Sequence, residues 1–393
     1  MISTLGLARS MVHRHWSLGP REPPRLAIMT TALAVLVLLA VTGHHNTVGA
    51  VSLRGVHLSG SGDGRPSQSG QLGQSGSSAG GSDTETDRPD WLHGGYGDIR
   101  LEAEPPPPIS SCPLRCRCYY RGFRGSGVSD RLLTVNCTGL GLMEFPENLP
   151  AHTQVLDMSS NSVRNLTTLP RLAELMVLDL SRNWLRVVDN RWLFEHVAQL
   201  AVLNLAHNRL RQLQDGTFLG LRRLLVLDVS GNRLHRTELH AFADLSSLEV
   251  FRMEGNGLFD VQREWFLSMP SLVELRLGDN ALSSLDALPL PRLQHLDLSN
   301  NRFRTLDHSI LAGLDNLRLV NLSDNGQLLE VPGAALRPAV KLDILLLDGL
   351  GVTRLGRHAV SGLSALEMSL SYLAELRAVG RDAFHNLSRL RTL

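Results

Sequence analysis

The residues of this chain best suited to covalent or metal chemistry are its four cysteines, Cys112, Cys116, Cys118 and Cys137. Their spacing, C-x3-C-x-C and then a longer gap, admits two readings. In an oxidising compartment an even count of clustered cysteines is a disulfide framework. As thiolates they could hold zinc, but structural zinc ligands come as CxxC-like pairs on separate turns, which is not the pattern here. Spacing alone leaves the connectivity open. A second set is the row of acids Asp157, Asp179, Asp228 and Asp297. Two such carboxylates could do acid–base work. On an open, solvated sheet nothing would desolvate them, so the expectation is plain surface. His44 and His45 adjoin an apolar leader and carry no metal role. The glycines around Gly60 to Gly64 lie in low-complexity sequence and not between a strand and a helix, so they are no phosphate cradle. There is no H-E-x-x-H, G-x-S-x-G or P-loop. The expectation is therefore no catalytic residue, no cofactor and no metal.

The elements that would position these residues are repeats. The frame L-x-x-L-x-L-x-x-N-x-L is complete at Leu175, Leu178, Leu180, Asn183, Leu185 and again at Leu200, Leu203, Leu205, Asn208, Leu210. It returns around Asn232, Asn256, Asn280, Asn301 and Asn325, with a weaker first copy around Asn161. A period of about 24 residues in this phrase marks a solenoid. Leucines at the fourth and sixth positions share one face of a short strand, because side chains alternate. The Asn amide follows where the chain turns, and can serve backbone groups that no ladder reaches. A second apolar set, Phe218, Leu221, Leu224 and then Phe242, Leu245, Leu248, lies on the returning segment. One repeat cannot bury its own apolar face, so stacked neighbours make the core. The frame loosens later: Leu350 and Leu373 stand where Asn is expected, which predicts a locally irregular stack in the same fold. The last copy begins at Phe384, Leu387 and Leu390, and an uncapped ending in mid-strand at Leu393 predicts a longer protein.

Over residues 112–393 these motifs resemble the extracellular leucine-rich repeat family, which includes Toll-type receptors, neuronal adhesion proteins and small proteoglycans. The resemblance implies an α/β solenoid, a horseshoe with a parallel concave sheet. It also implies that the cysteine cluster is an N-terminal cap with first pairing to third and second to fourth, Cys112–Cys118 and Cys116–Cys137. Val135-Asn136-Cys137 and Phe145-Pro146 through Leu149-Pro150 belong to the same cap pattern.

The expected organisation is a signal peptide or signal anchor over 1–50, a disordered Gly/Ser/Pro-rich linker over 51–111, the cap over 112–150 and about ten repeats over 151–393, the last truncated. Residues 26–41 are an apolar run preceded by arginines, as in a secretory signal, and shorter than a membrane span. That run, or a further segment after Leu393, is the route by which the protein would associate with a membrane. The net charge is +1, which suggests neither nucleic acid nor an acidic surface as partner. Among 39 basic residues only Lys341 is lysine. Sequons stand at Asn136, Asn165, Asn321 and Asn386, and accept glycan if exported.

Outward residues at the third strand position run Val155, Val177, Val202, Val226 and Val250, an expected exposed apolar stripe of the kind that marks docking. At the fifth, Arg252 and Arg276 would be repelling neighbours beside Glu254 and Glu274, an exposed charge network worth at most about 1 kcal/mol per pair. A glycan on Asn321 would obstruct the C-terminal half of the face. The expected partner site is therefore Val177, Val202, Val226, Asp228 and Arg252. The functional expectation is a non-enzymatic, extracellular or cell-surface protein of receptor or adhesion type, binding a protein ligand on its concave face. The alternatives are a secreted matrix protein of small-proteoglycan type, with Ser59-Gly60 and Ser61-Gly62 as candidate glycosaminoglycan sites, and a secreted enzyme inhibitor.

Overall fold

The structure is a computed structural model that describes residues 109, 111–121, 132–188 and 193–393. The leader and almost all of the expected linker, residues 1–108 and 110, lie outside the described residues. So do 122–131 and 189–192.

One sheet of twelve strands organises the repeats. Arg117–Arg121 pairs antiparallel with Leu132–Asn136. Every later strand joins in parallel and in sequence order, beginning with Val155–Asp157 and Val177–Asp179 and ending with Ile344–Leu346 and Glu367–Ser369. The register is constant: Val155, Val177, Val202, Val226 and Val250 lie opposite one another, and so do Asp157, Asp179, Asn204, Asp228 and Arg252. Most strands have three residues because only the x-L-x core of the frame is flat. On the far side the chain closes through turns, two short 3-10 segments (Glu195–Val197 and Arg263–Phe266) and one helical turn, Gly333–Leu336. Hydrogen-bonded strands stand about 4.8 Å apart. The bulkier segments behind them need more room, so the sheet side is the inner, concave arc.

The asparagines bolt one coil to the next. Asn208 donates through Nδ2 to the carbonyl of Leu205 at 3.0 Å and to that of Leu180, one repeat back, at 2.9 Å. Its Oδ1 accepts from the N–H of Leu185, again in the preceding repeat, at 3.0 Å. The same three-way contact recurs at Asn161, Asn183, Asn232, Asn256, Asn280 and Asn301. Each amide thus satisfies buried backbone groups of two coils at once. It breaks down at Asn325, whose Oδ1 is buried with no partner. Beyond it Leu350 and Leu373 replace the amide, yet the sheet continues through Ile344–Leu346 and Glu367–Ser369, so the irregularity is local. The residue before each Asn is left-handed: Ser160, Arg182, His207, Gly231, Gly255, Asp279, Asn300 and Asp324 all have positive φ. That conformation is cheap for glycine and for Asn or Asp, and less so for Arg182 and His207. At Gly231 the neighbouring coil adds a steric demand, since a Cβ there would stand 2.4 Å from His207 Nδ1.

Behind the sheet the frame leucines are fully buried, and Phe194, Phe218 and Phe242 stack in file with centroids 6.1 and 5.8 Å apart. Trp265 meets Phe242 edge-on and ends the file. At the front, disulfides join Cys112 to Cys118 and Cys116 to Cys137, tying the antiparallel first strand over the open end of the core.

The bolt predicts an asymmetry. Asn208→Ala strips carbonyls and the Leu185 N–H of partners, each costing about 1–3 kcal/mol. Asn325→Ala exposes no such N–H. Urea unfolding of the two variants is expected to show the larger loss at Asn208.

Candidate functional site

The concave face differs from the sequence expectation in exposure. The valine stripe is continuous but closed: Val177, Val202 and Val226 are 5–6% exposed and pack with Leu132, Val155 and Val250 into one cluster, with Met176 and Leu225 along its side. At strand spacing on an inner arc, equivalent side chains are pushed together and cover one another. The stripe is therefore an outer layer of core, not an open docking strip. An acid introduced there would be a buried unpaired charge, so Val202→Asp tests folding before it tests binding.

The acid row is also not plain surface. Asp157, Asp179 and Asp228 are buried, and each accepts through Oδ1 the N–H of the serine two residues on, at 2.8–2.9 Å. Asp297 does the same to Ser299, while Asn204 and Asn321 supply the amide version to Ala206 and Ser323. The fifth-position residue thus caps the strand end. The signal was in the sequence, as the recurring pair Asp-x-Ser. Asp179 also accepts from Asn204 Nδ2 at 3.0 Å. Burial, and next the charge of Asp157 beside it, push Asp179 from its ordinary value of 3.8 up to about 7. Asp157 Oδ2 is buried without a partner.

Farther along lies a buried charge cluster. Arg252 and Arg276 are neighbours in register, as expected, but Glu274 sits between them and cancels the repulsion. Its Oε1 accepts from Arg276 Nε at 2.6 Å and from Arg252 Nη2 at 3.5 Å, while Arg252 Nη1 lies 3.9 Å from Asp228 Oδ2. The Glu274 side chain is 2% exposed and that of Arg252 8%, so the exposed-pair estimate does not apply. Groups this buried depend on their partners for several kcal/mol. Burial, and then the charge of Asp228, push Glu254 from 4.5 to about 7. Burial opposes the charge on Arg276, but Glu274 and Glu254 outweigh it and hold the guanidinium above its ordinary range. Burial lowers His295. Two carboxylate oxygens, Oε2 of Glu254 and Oε2 of Glu274, are buried with no hydrogen-bond partner. Glu254, Glu274 and Arg276 were read from the sequence only as surroundings of Arg252. Nothing in the linear frame sets them apart, because their importance lies in register.

Asn321 holds an intermediate place on the same face, and Asn165 and Asn386 are exposed. Asn136 ends the second strand, its Oδ1 accepting from Thr138 N–H. Among the described residues no group of three or more potential metal ligands is gathered, and no helix is long and apolar enough to cross a membrane.

This geometry is that of a leucine-rich repeat coil behind an oxidised cap. The family model described as leucine rich repeat matches residues 198–258, 254–303 and 291–351. Residues 198–351 are leucine-rich repeats, and the chain is similar to extracellular leucine-rich repeat proteins. It is 28% identical to Tsukushi of Gallus gallus over 288 residues, covering 72% of this chain and 64% of that protein. To Tsukushi of Xenopus tropicalis it is 29% identical over 227 residues, covering 56% and 64%. To mouse Podocan it is 36% identical over 115 residues, covering 28% of this chain and 16% of Podocan. The chain thus spans less than two thirds of the length of these relatives. Among solved structures, an octameric complex of Latrophilin 3, Unc5D and FLRT2 contains a chain 27% identical to this one with a TM-score of 0.48, covering 53% of this chain and 64% of that one. A TLR13 complex with single-stranded RNA gives 25% identity and a TM-score of 0.48, covering 58% and 36%.

The raised acids fix the sign of a pH effect. A carboxyl raised from 3.8 to about 7 on folding holds its proton in the folded state where the unfolded chain has lost it. Stability from this source is present below about pH 4 and drains away as pH rises to about 7. In Asp157→Asn the Oδ1 cap is kept, while Nδ2 replaces the unpartnered Oδ2 and can donate to Asp179, as Asn204 already does. This variant is expected to melt several degrees above the parent at pH 8 and close to it at pH 4, measured by thermal unfolding across pH.

Proposed function

We propose that this chain is a non-enzymatic, extracellular or cell-surface binding protein that takes a protein partner on its concave face, centred on Arg252, Glu254, Glu274 and Arg276. The observation that carries this reading is the pair of buried, unpartnered carboxylate oxygens on Glu254 and Glu274. Buried polar atoms are nearly always satisfied, and the cluster, in which the Arg252 Nε donor is also unpartnered, still lacks at least one donor group for these two oxygens. A lysine, arginine or amide from a partner would supply it, in a place where a completed network is worth far more than a solvated contact. Asp228 and Arg252 belong to this centre. Val177, Val202 and Val226 act as the rigid floor beside it rather than as the contact itself. A glycan on Asn321 would bound the site on its C-terminal side. The secretory route follows from the two disulfides and from relatives such as trophoblast glycoprotein of Rattus norvegicus. Net charge averages over the whole surface and says nothing of a local patch. The expectation against nucleic acid therefore does not extend to particular faces.

The test is a search for the partner followed by a swap of oxygen for nitrogen. The full chain, displayed multivalently, is screened against an array of extracellular domains. Glu254→Gln alone keeps shape but turns its unpartnered oxygen into a donor, and leaves Glu274 as the charge that bridges Arg252 and Arg276. Affinity for the captured partner is expected to fall at least about tenfold with the melting temperature preserved. Unchanged affinity in that variant, with loss on Arg222→Glu and Arg263→Glu on the convex side, would move the site off this face.

A further inference from the structure

From Ser160 to His235, along the edge where the coil turns away from the sheet, the charge is of one sign. Arg209 and Arg233 directly follow their ladder asparagines, and Arg182 directly precedes one. Arg164, Arg186 and Arg211 stand three residues past theirs. In these three positions no carboxylate occurs from Ser160 to His235. Backbone hydrogen bonds run from repeat to repeat beneath the row: Arg186 N–H to the Arg164 carbonyl at 3.3 Å, Arg209 to Leu185 at 2.8 Å and Arg233 to Leu210 at 2.9 Å. The arginines are thus set on a rigid ladder at roughly strand spacing. Arg209 is partly exposed and the other five are exposed. No ion pair among the described residues involves any of the six, whereas Arg222, Arg318, Arg357 and Arg389 elsewhere on the coil each have an acid. Trp184 stands in the row between them, with the Arg164 guanidinium carbon 5.3 Å and the Arg209 carbon 4.4 Å from its ring centre. Such stacking fixes two long side chains in place with their outer N–H groups free.

We propose that this edge binds a linear sulfated polysaccharide of the cell surface or matrix. A row of cations that no acid among the described residues neutralises calls for an extended polyanion, and guanidinium forks pair with the oxygens of a tetrahedral anion in bidentate fashion. Two features set this occupant apart from others. Single-stranded nucleic acid binds on aromatic platforms left open for its bases, and here the one aromatic of the row is already engaged by two guanidiniums. A protein interface would need an apolar centre, and the row offers none besides Trp184. The sequon at Asn165 adjoins Arg164, so a glycan there would border one end of the row and leave the rest open. The edge is distinct from the concave centre around Glu274, and neither reading depends on the other.

The full chain made in animal cells is tested on immobilised heparin, on chemically desulfated heparin and on single-stranded RNA. The variant carries Arg182→Gln, Arg186→Gln, Arg211→Gln and Arg233→Gln, all at exposed sites. A charge-matched control carries Arg263→Gln, Arg292→Gln, Arg337→Gln and Arg354→Gln, all exposed and outside the three edge positions. The parent is expected to bind heparin with affinity that falls steeply with salt, and not to bind the desulfated form. The edge variant should bind about tenfold more weakly, and the control within about twofold of the parent. Melting temperatures report folding, and the pairs Arg182→Gln with Arg186→Gln and Arg211→Gln with Arg233→Gln, each expected to give an intermediate loss, serve if the full set unfolds. No heparin binding by the parent, an equal loss in the control, or tighter binding of RNA than of heparin at the same salt would each overturn the proposal.

Discussion

From Asn161 to Asn301, each coil of this protein leans on the one before it through a single side-chain amide. Each of these asparagines holds a carbonyl of its own coil and both a carbonyl and an N–H of the preceding one, as Asn208 does with Leu205, Leu180 and Leu185. A side chain with one donor group and one acceptor group is what this junction requires. A leucine in that place leaves backbone polar groups to find other partners. After Asn325 the amide contact ends, because Leu350 and Leu373 stand in its place, while the strands stay in register.

Constant register has consequences for the face of the sheet. Once the amides set the pitch, the third and fifth strand positions of all coils fall into rows, and whatever residue type repeats there is stacked on itself. Valines stacked on valines become a covered apolar layer. Acids stacked on acids lose solvent, and burial with the charge of Asp157 raises the affinity of Asp179 for a proton. Where the row changes to Arg252 and Arg276, Glu274 from the adjacent position is drawn between them. The unpartnered oxygens of Glu254 and Glu274 then mark the point on this face where the chain's own groups still lack at least one donor. The same registration on the turn edge aligns six arginines that are scattered in sequence.

Local physics explains which features were legible beforehand. The leucine frame, the ladder asparagines and the capping cysteines each act within one repeat or toward a fixed neighbour, so their type and spacing reveal their role. The exposure of Val202 or Asp179 is different. It depends on which residues stand about 4.8 Å away in the adjacent coils and on the curvature that presses them together. Reading one strand at a time, both look like solvent-facing positions. The Asp-x-Ser caps fell between these cases: the pattern recurs visibly, but its meaning required knowing that the strand ends at the acid.

Sequence alone therefore determined the architecture: a parallel-stranded solenoid with apolar leucines inside, amides at the turns and clustered cysteines ahead of the first coil. It did so because a short repeated frame encodes the same small structure each time it occurs. Tertiary structure decided what the surface is. Burial of the valine layer, the raised proton affinity of Asp179 and Glu254, the bridging of two arginines by Glu274 and the arginine edge all arise between coils. Their cause is the side-by-side stacking of residues some two dozen positions apart, which no single stretch of chain contains.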